Sequence, residues 1–387
     1  MQFDEAYFDA GIDRRGTNTI KWDRSCAQHG EDLLPMFIAD MDFAGAPAIT
    51  EALVKRAAHA AYGYTVMMDE DYDALIGFWQ RRHGLTFAKE DVLTIPGVVP
   101  GINMTIRALT QPGDGVIIQT PVYGPFRMQI EATERKVMEA PLIRREDGGY
   151  DMDLAAVEAQ CRAGAKLMVL CNPHNPASRA WTREELTALM AVLEKYGVPL
   201  AADEIHADFV YAPAVFTPVL SIRRSNVVML TAPGKTFNLA GLQHASIVCC
   251  DADVREKIRH EIHACELTSG NVMALTAARA AYNDCDEWLD GLLAYLRGNI
   301  KALEEAVAKY LPKAVLSPIG ATYLGWLDLR AYGFDNEELM KRSIGAGVQF
   351  NGGTFFGDLG NGFLRINIAC PRRNIEEAVK RLAKGLE

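Results

Sequence analysis

No run of about 18 apolar residues occurs in the chain, so no membrane-spanning helix is expected. The first residues, MQFDEAYFDAGIDRRG, carry acids and lack an apolar core. No secretory signal is read there, and the cytoplasm is the expected setting. Positive charge is scarce: 40 Lys and Arg stand against 50 Asp and Glu, a formal net charge of −10. A chain that wraps nucleic acid carries a basic face, so DNA or RNA binding is not expected. The eight cysteines (Cys26, Cys161, Cys171, Cys249, Cys250, Cys265, Cys285 and Cys370) include no CxxC pair, and no histidine cluster accompanies them. A zinc site is therefore not expected, and no other metal is assigned. Most of these cysteines sit in apolar runs such as LMVLCN and SIVCC and read as reduced core filler. Without an export signal, structural disulfides are not expected either. Internal repeats and low-complexity linkers are also missing.

What is present is a large, foldable chain. At 387 residues it exceeds one simple core and predicts two domains, or one large domain with a satellite. With 49% hydrophobic and 23% charged residues it can fill that core, so disorder is not expected. The segments DVLTIPG, GVIIQTP, AKLMVLCN, VPLAADE, NVVMLTAP and HASIVCC read as strands. INMTIRALT has helical spacing. TREELTALMAVLEKYG reads as a helix with a capping box at Thr182 and Glu185 and Gly197 at its end. Strands alternating with helices predict a mostly parallel sheet covered on both faces. The last third differs. EWLDGLLAYLRGNIKALEEAVAKYL is one long helix ahead of Pro312, and ATYLGWLDL and GFLRINIA read as strands of a smaller sheet. The expected division is a large α/β domain over 48–284 and a smaller α+β domain made of 1–47 with 285–387.

In an open parallel sheet, ligands bind beyond the carboxyl ends of the strands. After LMVLC comes NPHNP, after VPLAA comes DEIH, and after VVMLT comes APGK. Asn172 or Asn175, Asp203 with His206, and Lys235 would thus converge on one crevice. Taken singly, each has a plainer reading. Lys235 could be a surface lysine, Asp203 a residue of a solvated turn, His206 an ordinary buried histidine and NPHNP a pair of tight turns. Magnesium at Asp203 finds no second carboxylate cluster or glycine-rich phosphate loop to support it. Together the groups suit pyridoxal phosphate. The cofactor needs an amine for its aldehyde, a buried carboxylate such as Asp203 for its pyridine nitrogen, and donors such as Asn175 and His206 for its ring oxygen. Its phosphate needs backbone N–H groups at a helix start, which TIPGVVPGINMTI offers at Val98 and Val99. Tyr123, in TPVYGPF, follows a further strand end and could stack on the ring.

With these residues assembled, the chain resembles the fold-type-I, aminotransferase-like pyridoxal-phosphate enzymes, which implies a seven-stranded type of sheet in the large domain, and more narrowly the cystathionine β-lyase family of the MalY and PatB type, which are cysteine-conjugate C–S lyases. The segments IDRRGTNTIKWD, FIADMDF, YGYT, CNPHNP, ADEIHADFV, KTFNLAGLQ and FLRINIACPRR carry the resemblance in order over nearly the whole chain. It implies that Lys235 holds the cofactor and moves protons, with Tyr123 stacked on the ring as a second catalytic group. It implies that Asp203 pairs with the pyridine nitrogen, that Asn175 and His206 contact the ring oxygen, and that Val98 and Val99 hold the phosphate. Arg365, with Asn175, would bind the substrate carboxylate. Tyr64 would reach the phosphate of a neighbouring subunit, making the active unit a homodimer. Thr120–Pro121 and Asn175–Pro176 would be cis.

Three positions depart from the family pattern. Ser178 stands where glycine is usual, Gly234 where a serine hydroxyl usually meets the phosphate, and Phe37 where tryptophan is favoured. Thr231 is the residue expected to make up for Gly234. The implied reaction is α,β-elimination from L-cystathionine or a related cysteine S-conjugate to pyruvate, ammonia and a thiol. An aminotransferase on the same scaffold is the alternative, and a regulatory protein-binding role is the alternative of another class.

Overall fold

A computed structural model describes residues 2–387. Its centre is a seven-stranded sheet: β1 (Val92–Ile95), β2 (Gly115–Ile118), β3 (Lys136–Glu139), β4 (Leu167–Cys171), β5 (Leu200–Asp203), β6 (Val227–Thr231) and β7 (Ala245–Val248). Their order across the sheet is β1-β7-β6-β5-β4-β2-β3. All pairs are parallel except those of β7, which runs antiparallel to β1 and to β6. Two reversals leave β1 parallel to the rest, so its carboxyl end opens on the same edge as those of β4, β5 and β6.

The central strands are apolar throughout because both faces are covered. Every residue of β4, β5 and β6 is buried. Successive side chains then feed different cores. Met168, Leu170, Leu200, Ala202, Val227 and Met229 join one cluster, and Leu167, Val169, Cys171, Ala201, Val228 and Leu230 join the other. Helix α1 (Val98–Leu109) packs on the second face. A side chain at Gly101 would strike Ile95 Cδ1 at 2.2 Å and Leu230 Cδ2 at 2.8 Å. Glycine there lets α1 lie close on the sheet, with its first turn at the strand ends.

The predicted helices form. Helix α2 (Arg183–Lys195) carries the Thr182–Glu185 capping box, and α3 (Asp286–Tyr310) spans 25 residues. Strand β3 was not legible in the sequence. It is a half-exposed edge strand, KVME, whose charged ends hide its apolar pair.

The C-terminal part forms a four-stranded antiparallel sheet. Its strands are β8 (Val315–Leu316), β9 (Leu324–Asp328), β10 (Asn351–Gly352) and β11 (Phe363–Asn367), in the order β8-β9-β11-β10. Helix α4 (Arg372–Leu386) buries Ile375, Ala378, Val379 and Leu382 beside α3. The N-terminal segment joins this part: Leu34 and Pro35 pair in parallel with Val348 and Gln349. No helix among the described residues is long and apolar enough to cross a membrane.

Candidate active site

Strands β4, β5 and β6 end in register, with Cys171 beside Asp203 and Asp203 beside Leu230. Beyond them lies a cavity of about 450 Å³, in the range of small-ligand sites. Val98 and Val99 line it from the first turn of α1, and Tyr123 from the segment after β2. Asn175, Asp203, His206 and Lys235 line it from the ends of β4, β5 and β6, and Arg365 from β11 of the smaller sheet. The two sheets meet through the turn at 353–356. Phe356 O accepts from Val122 N at 2.9 Å, and a side chain on Gly124 would lie 2.4 Å from Phe355 O. Glycine at 124 is what lets that turn close over Tyr123. The peptide bonds at Thr120–Pro121 and Asn175–Pro176 are cis, as are Asn172–Pro173 and Ala212–Pro213.

Lys235 sits in a short helix after β6, and its Nζ donates to Ala39 O at 2.6 Å. Burial and the nearby Arg365 cation lower its amine to about 8, against the opposing pull of Asp40 and Asp203. Asp203 is 4% exposed. Burial raises its carboxyl to about 7, partly offset by the Ile205 N–H, which donates to Oδ1 at 3.1 Å, and by Lys235. His206 is held neutral, its imidazole pushed well below the usual value by burial and by the cations of Lys235 and Arg365. Its Nδ1 has no protein partner.

Arg365 occupies the middle of β11, with Trp326 on one side and Asn351 on the other. Its Nη1 donates to Asn175 Oδ1 at 3.2 Å, and its Nη2 donates to Phe37 O and Asn351 Oδ1, each at 2.6 Å. Its Nε is buried without a partner. Burial lowers the guanidinium to about 10, so it remains a cation at neutral pH. None of its acceptors is a carboxylate. A buried cation held only by neutral oxygens is a ready anion receptor.

Two expected residues fall elsewhere. Thr231 is buried as the last residue of β6 and does not line the cavity. The pleat gives the reason: Thr231 shares its face with Val227 and Met229, whereas Asp203 alternates with Ala202 onto the α1 face. Tyr64 is fully exposed and lies outside the cavity of its own chain. Conversely, Phe37, Ile38, Ala39, Asn351 and Phe355 line the cavity without having been singled out as site residues. Phe37 to Ala39 lie in FIADMDF, whose match to the family was the signal available for them. Ser178 does adopt the left-handed conformation expected of glycine, with φ +55°. Its hydroxyl lies 3.0 Å from Pro176 O and also contacts Leu324 O.

The family model for aminotransferase class I and II matches residues 38–382. Cystathionine β-lyase PatB of Bacillus subtilis is 38% identical, over 98% of this chain and 99% of its own. Cystalysin of Treponema denticola, whose crystal structure contains pyridoxal 5'-phosphate, superimposes with a TM-score of 0.94 at 32% identity, covering 97% of each chain. The pyridoxal-phosphate-bound C–S lyase of Staphylococcus hominis gives 0.91 at 30% identity, covering 98% of this chain and 97% of the other. Over this shared length the cavity and both sheets are included, and the chain belongs to the aminotransferase class I and II family of fold-type-I enzymes, in its MalY and PatB branch.

Proposed function

We propose that the chain is a pyridoxal-phosphate-dependent carbon–sulfur lyase acting on L-cystathionine or related cysteine S-conjugates. One observation carries the reading: a depressed amine, a buried acid and a buried cation without a carboxylate face one cavity. The residues fit the cofactor. Asp203 offers a buried acid for the pyridine nitrogen. Asn175 uses Oδ1 on Arg365, which leaves its NH₂ free to donate to the ring oxygen beside the unpartnered His206. The N–H groups of Val98 and Val99 open α1 and suit a phosphate. Tyr123 supplies an aromatic face in the cavity wall.

When bound, the cofactor supplies an aldehyde for the lysine amine and a cationic ring that draws electrons from the substrate Cα. Arg365 grips the α-carboxylate and so fixes which Cα bond is presented. Lys235 takes the α-proton. With an amine at about 8, roughly a tenth is free base at neutral pH, a far larger share than an ordinary lysine offers. As the Cα–H bond breaks, the Cβ–S bond breaks with it, and sulfur leaves as a thiolate that takes up a proton. The remaining three-carbon enamine takes up water and gives pyruvate and ammonia.

Elimination is favoured over transamination between dicarboxylic acids because Lys235 and Arg365 are the sole lysine and arginine of the cavity wall among the described residues. The lone side-chain carboxylate of an aspartate or glutamate would find no cation there, whereas the distal carboxylate of cystathionine carries its own ammonium beside it. Holoenzyme given L-cystathionine and no keto acid should release pyruvate and thiol in equal amounts. In Lys235→Ala that release should vanish, together with the cofactor that borohydride fixes to the chain. Absence of pyruvate from the wild type, or full turnover by the variant, would refute the reading.

The active unit in this reading is a homodimer. Tyr62, Tyr64, Val66 and Met68 expose apolar surface on one loop. Beside it lies a depression of about 750 Å³ bordered by residues of helices Pro47–Ala58 and Val272–Asp284. A second copy covering this surface would bring Tyr64 to its neighbour's phosphate. Light scattering should give twice the chain mass, and a fully active monomer would overturn the arrangement. The division into 48–284 and 1–47 with 285–387 belongs to the same reading, supported by the pairing of Leu34 and Pro35 with Val348 and Gln349.

A further inference from the structure

Two sequence motifs supply no side chain to the chemistry above, IDRRGTNTIKWD at 12–23 and FIADMDF at 37–43, and the structure packs one against the other. The stretch 37–41 crosses the cavity as a strap of backbone carbonyls. Phe37 O accepts from Arg365 Nη2 at 2.6 Å, and Ala39 O accepts from Lys235 Nζ at 2.6 Å and from Tyr323 OH at 3.1 Å. Ile38 O and Asp40 O both accept from Asn367 Nδ2. Asn238 clamps the end of the strap, donating to Met41 O and accepting from Met41 N, each at 3.0 Å. The guanidinium that would bind the substrate and the amine that would move its proton thus rest on two carbonyls of one strap.

Behind the strap lies an ion cluster with a buried pair at its centre and the partly exposed Arg14 and Asp40 at its rim. Lys21 is 1% exposed and Asp42 3%. Lys21 Nζ donates to Asp42 Oδ2 at 2.7 Å and lies 3.5 Å from Asp40 Oδ1. Asp42 Oδ1 accepts from Trp22 Nε1 at 2.9 Å and Arg14 Nη1 at 3.2 Å, and Arg14 Nη2 reaches Asp40 Oδ2 at 2.8 Å. Two cations meet two anions, so the charge balances. Buried pairs of this kind contribute little net stability against apolar packing, and fixing one arrangement is their better-supported use. None of these side chains lines the cavity.

We propose that the Lys21–Asp42 pair, with Arg14, Trp22 and Asp40, is a positioning device for the active site. It sets the strap where Phe37 O aims Arg365 at the substrate carboxylate and Ala39 O receives the Lys235 amine whenever that amine is free. The inference rests on the reading of Arg365 and Lys235 given above. Loosening the cluster withdraws one of the three acceptors that orient Arg365, so carboxylate binding suffers more than the bond-breaking steps.

The test uses holoenzyme and 2-aminoisobutyrate, an amino acid with no α-proton, whose binding is read from the absorbance of the bound cofactor. In Lys21→Met, its Kd and the KM for L-cystathionine should rise about tenfold, with kcat within about twofold. The double variant Lys21→Met/Asp42→Asn has no unpaired carboxylate, so it should regain the thermal midpoint lost by the single change while Kd stays raised. Trp22→Phe removes one hydrogen bond to Asp42 and keeps a smaller aromatic ring in its place. It should raise Kd about threefold, and it decides the matter if the Lys21 variants do not fold. A Kd that recovers along with the midpoint, or a wild-type Kd in Trp22→Phe, overturns the proposal. A wild type that does not respond to 2-aminoisobutyrate would instead overturn the reading of Arg365, and the strap proposal with it.

Discussion

Replacing Asp203 by asparagine should make the cofactor-free protein less sensitive to pH. Its carboxyl, 4% exposed, is raised to about 7 by burial, whereas in the unfolded chain it titrates near 3.9. A raised acid stabilises the fold below its unfolded value, and that stability is lost as pH rises through the folded value. At about 1.4 kcal/mol per unit, the loss reaches roughly 2 kcal/mol by about pH 5.5 and roughly 4 kcal/mol by about pH 8. Between those two conditions Asp203 therefore removes about 2 kcal/mol. Lys235, lowered to about 8, acts mainly above this window. Glu204, raised to about 8 mainly by burial, acts within it and is present in both proteins. The difference between wild type and Asp203→Asn reports Asp203 together with its smaller couplings to Glu204 and Lys235. Urea midpoints of both cofactor-free proteins at the two pH values measure it. The wild type should lose about 2 kcal/mol more than the variant on going to the higher pH. Equal losses would mean that the carboxyl is not desolvated and would remove the physical basis for its pairing with the cofactor ring.

Arg365→Lys replaces a planar fork that satisfies three acceptors with a single ammonium. Saturation kinetics should show KM raised about 100-fold with a smaller change in kcat, corresponding to roughly 3 kcal/mol of lost carboxylate binding. Gly234→Ser has room, since an added Cβ would meet nothing closer than Ala240 Cα at 3.4 Å. One restored hydroxyl contact should lower the cofactor Kd about fivefold by equilibrium dialysis, and an unchanged Kd would mean that the phosphate never depended on this position. Ser178→Gly relieves a left-handed φ worth roughly 1 kcal/mol but removes a hydroxyl bond of similar size. Its thermal midpoint should stay within about 2 °C of the wild type, and a fall of more than about 5 °C would show the hydroxyl bond to be dominant.

The strand-end chemistry was legible because polar residues interrupt apolar runs abruptly, at LMVLC-N, PLAA-DE and VVMLT-APGK. A buried strand must be apolar, so its first polar residue marks the edge of the sheet. Strand direction is not written in such runs. HASIVCC looks like its neighbours, yet β7 runs against β1 and β6. The face of a terminal residue was equally hidden until the register was known, which is why Thr231 was placed in the site and lies on the other face. The strap was illegible for a different reason. Its working atoms are the carbonyls of Phe37 and Ala39, and a main-chain oxygen has no signature in residue type. Asn351, which accepts from Arg365, stands before two glycines and reads as a turn residue.

Setting a guanidinium beside the amine has a consequence for when the base is strong. Arg365 is one of the two causes that lower Lys235 in the waiting site. In the proposed reading a substrate carboxylate on Arg365 cancels much of that cation's field. The proton affinity of the freed amine then rises when an α-proton is present to be taken. Before substrate arrives, the same field favours the neutral amine, which is the form able to attack an aldehyde. One arginine on the smaller sheet would thus serve two ends, binding the substrate directly and timing the lysine through space. Distance governs the second role more gently than the first, because a charge's field falls slowly with separation whereas a directed hydrogen bond fails within about an ångström. Both groups are hydrogen-bonded to the strap at 37–41. Fixing that backbone fixes their separation, and with it both the affinity for substrate and the strength of the base.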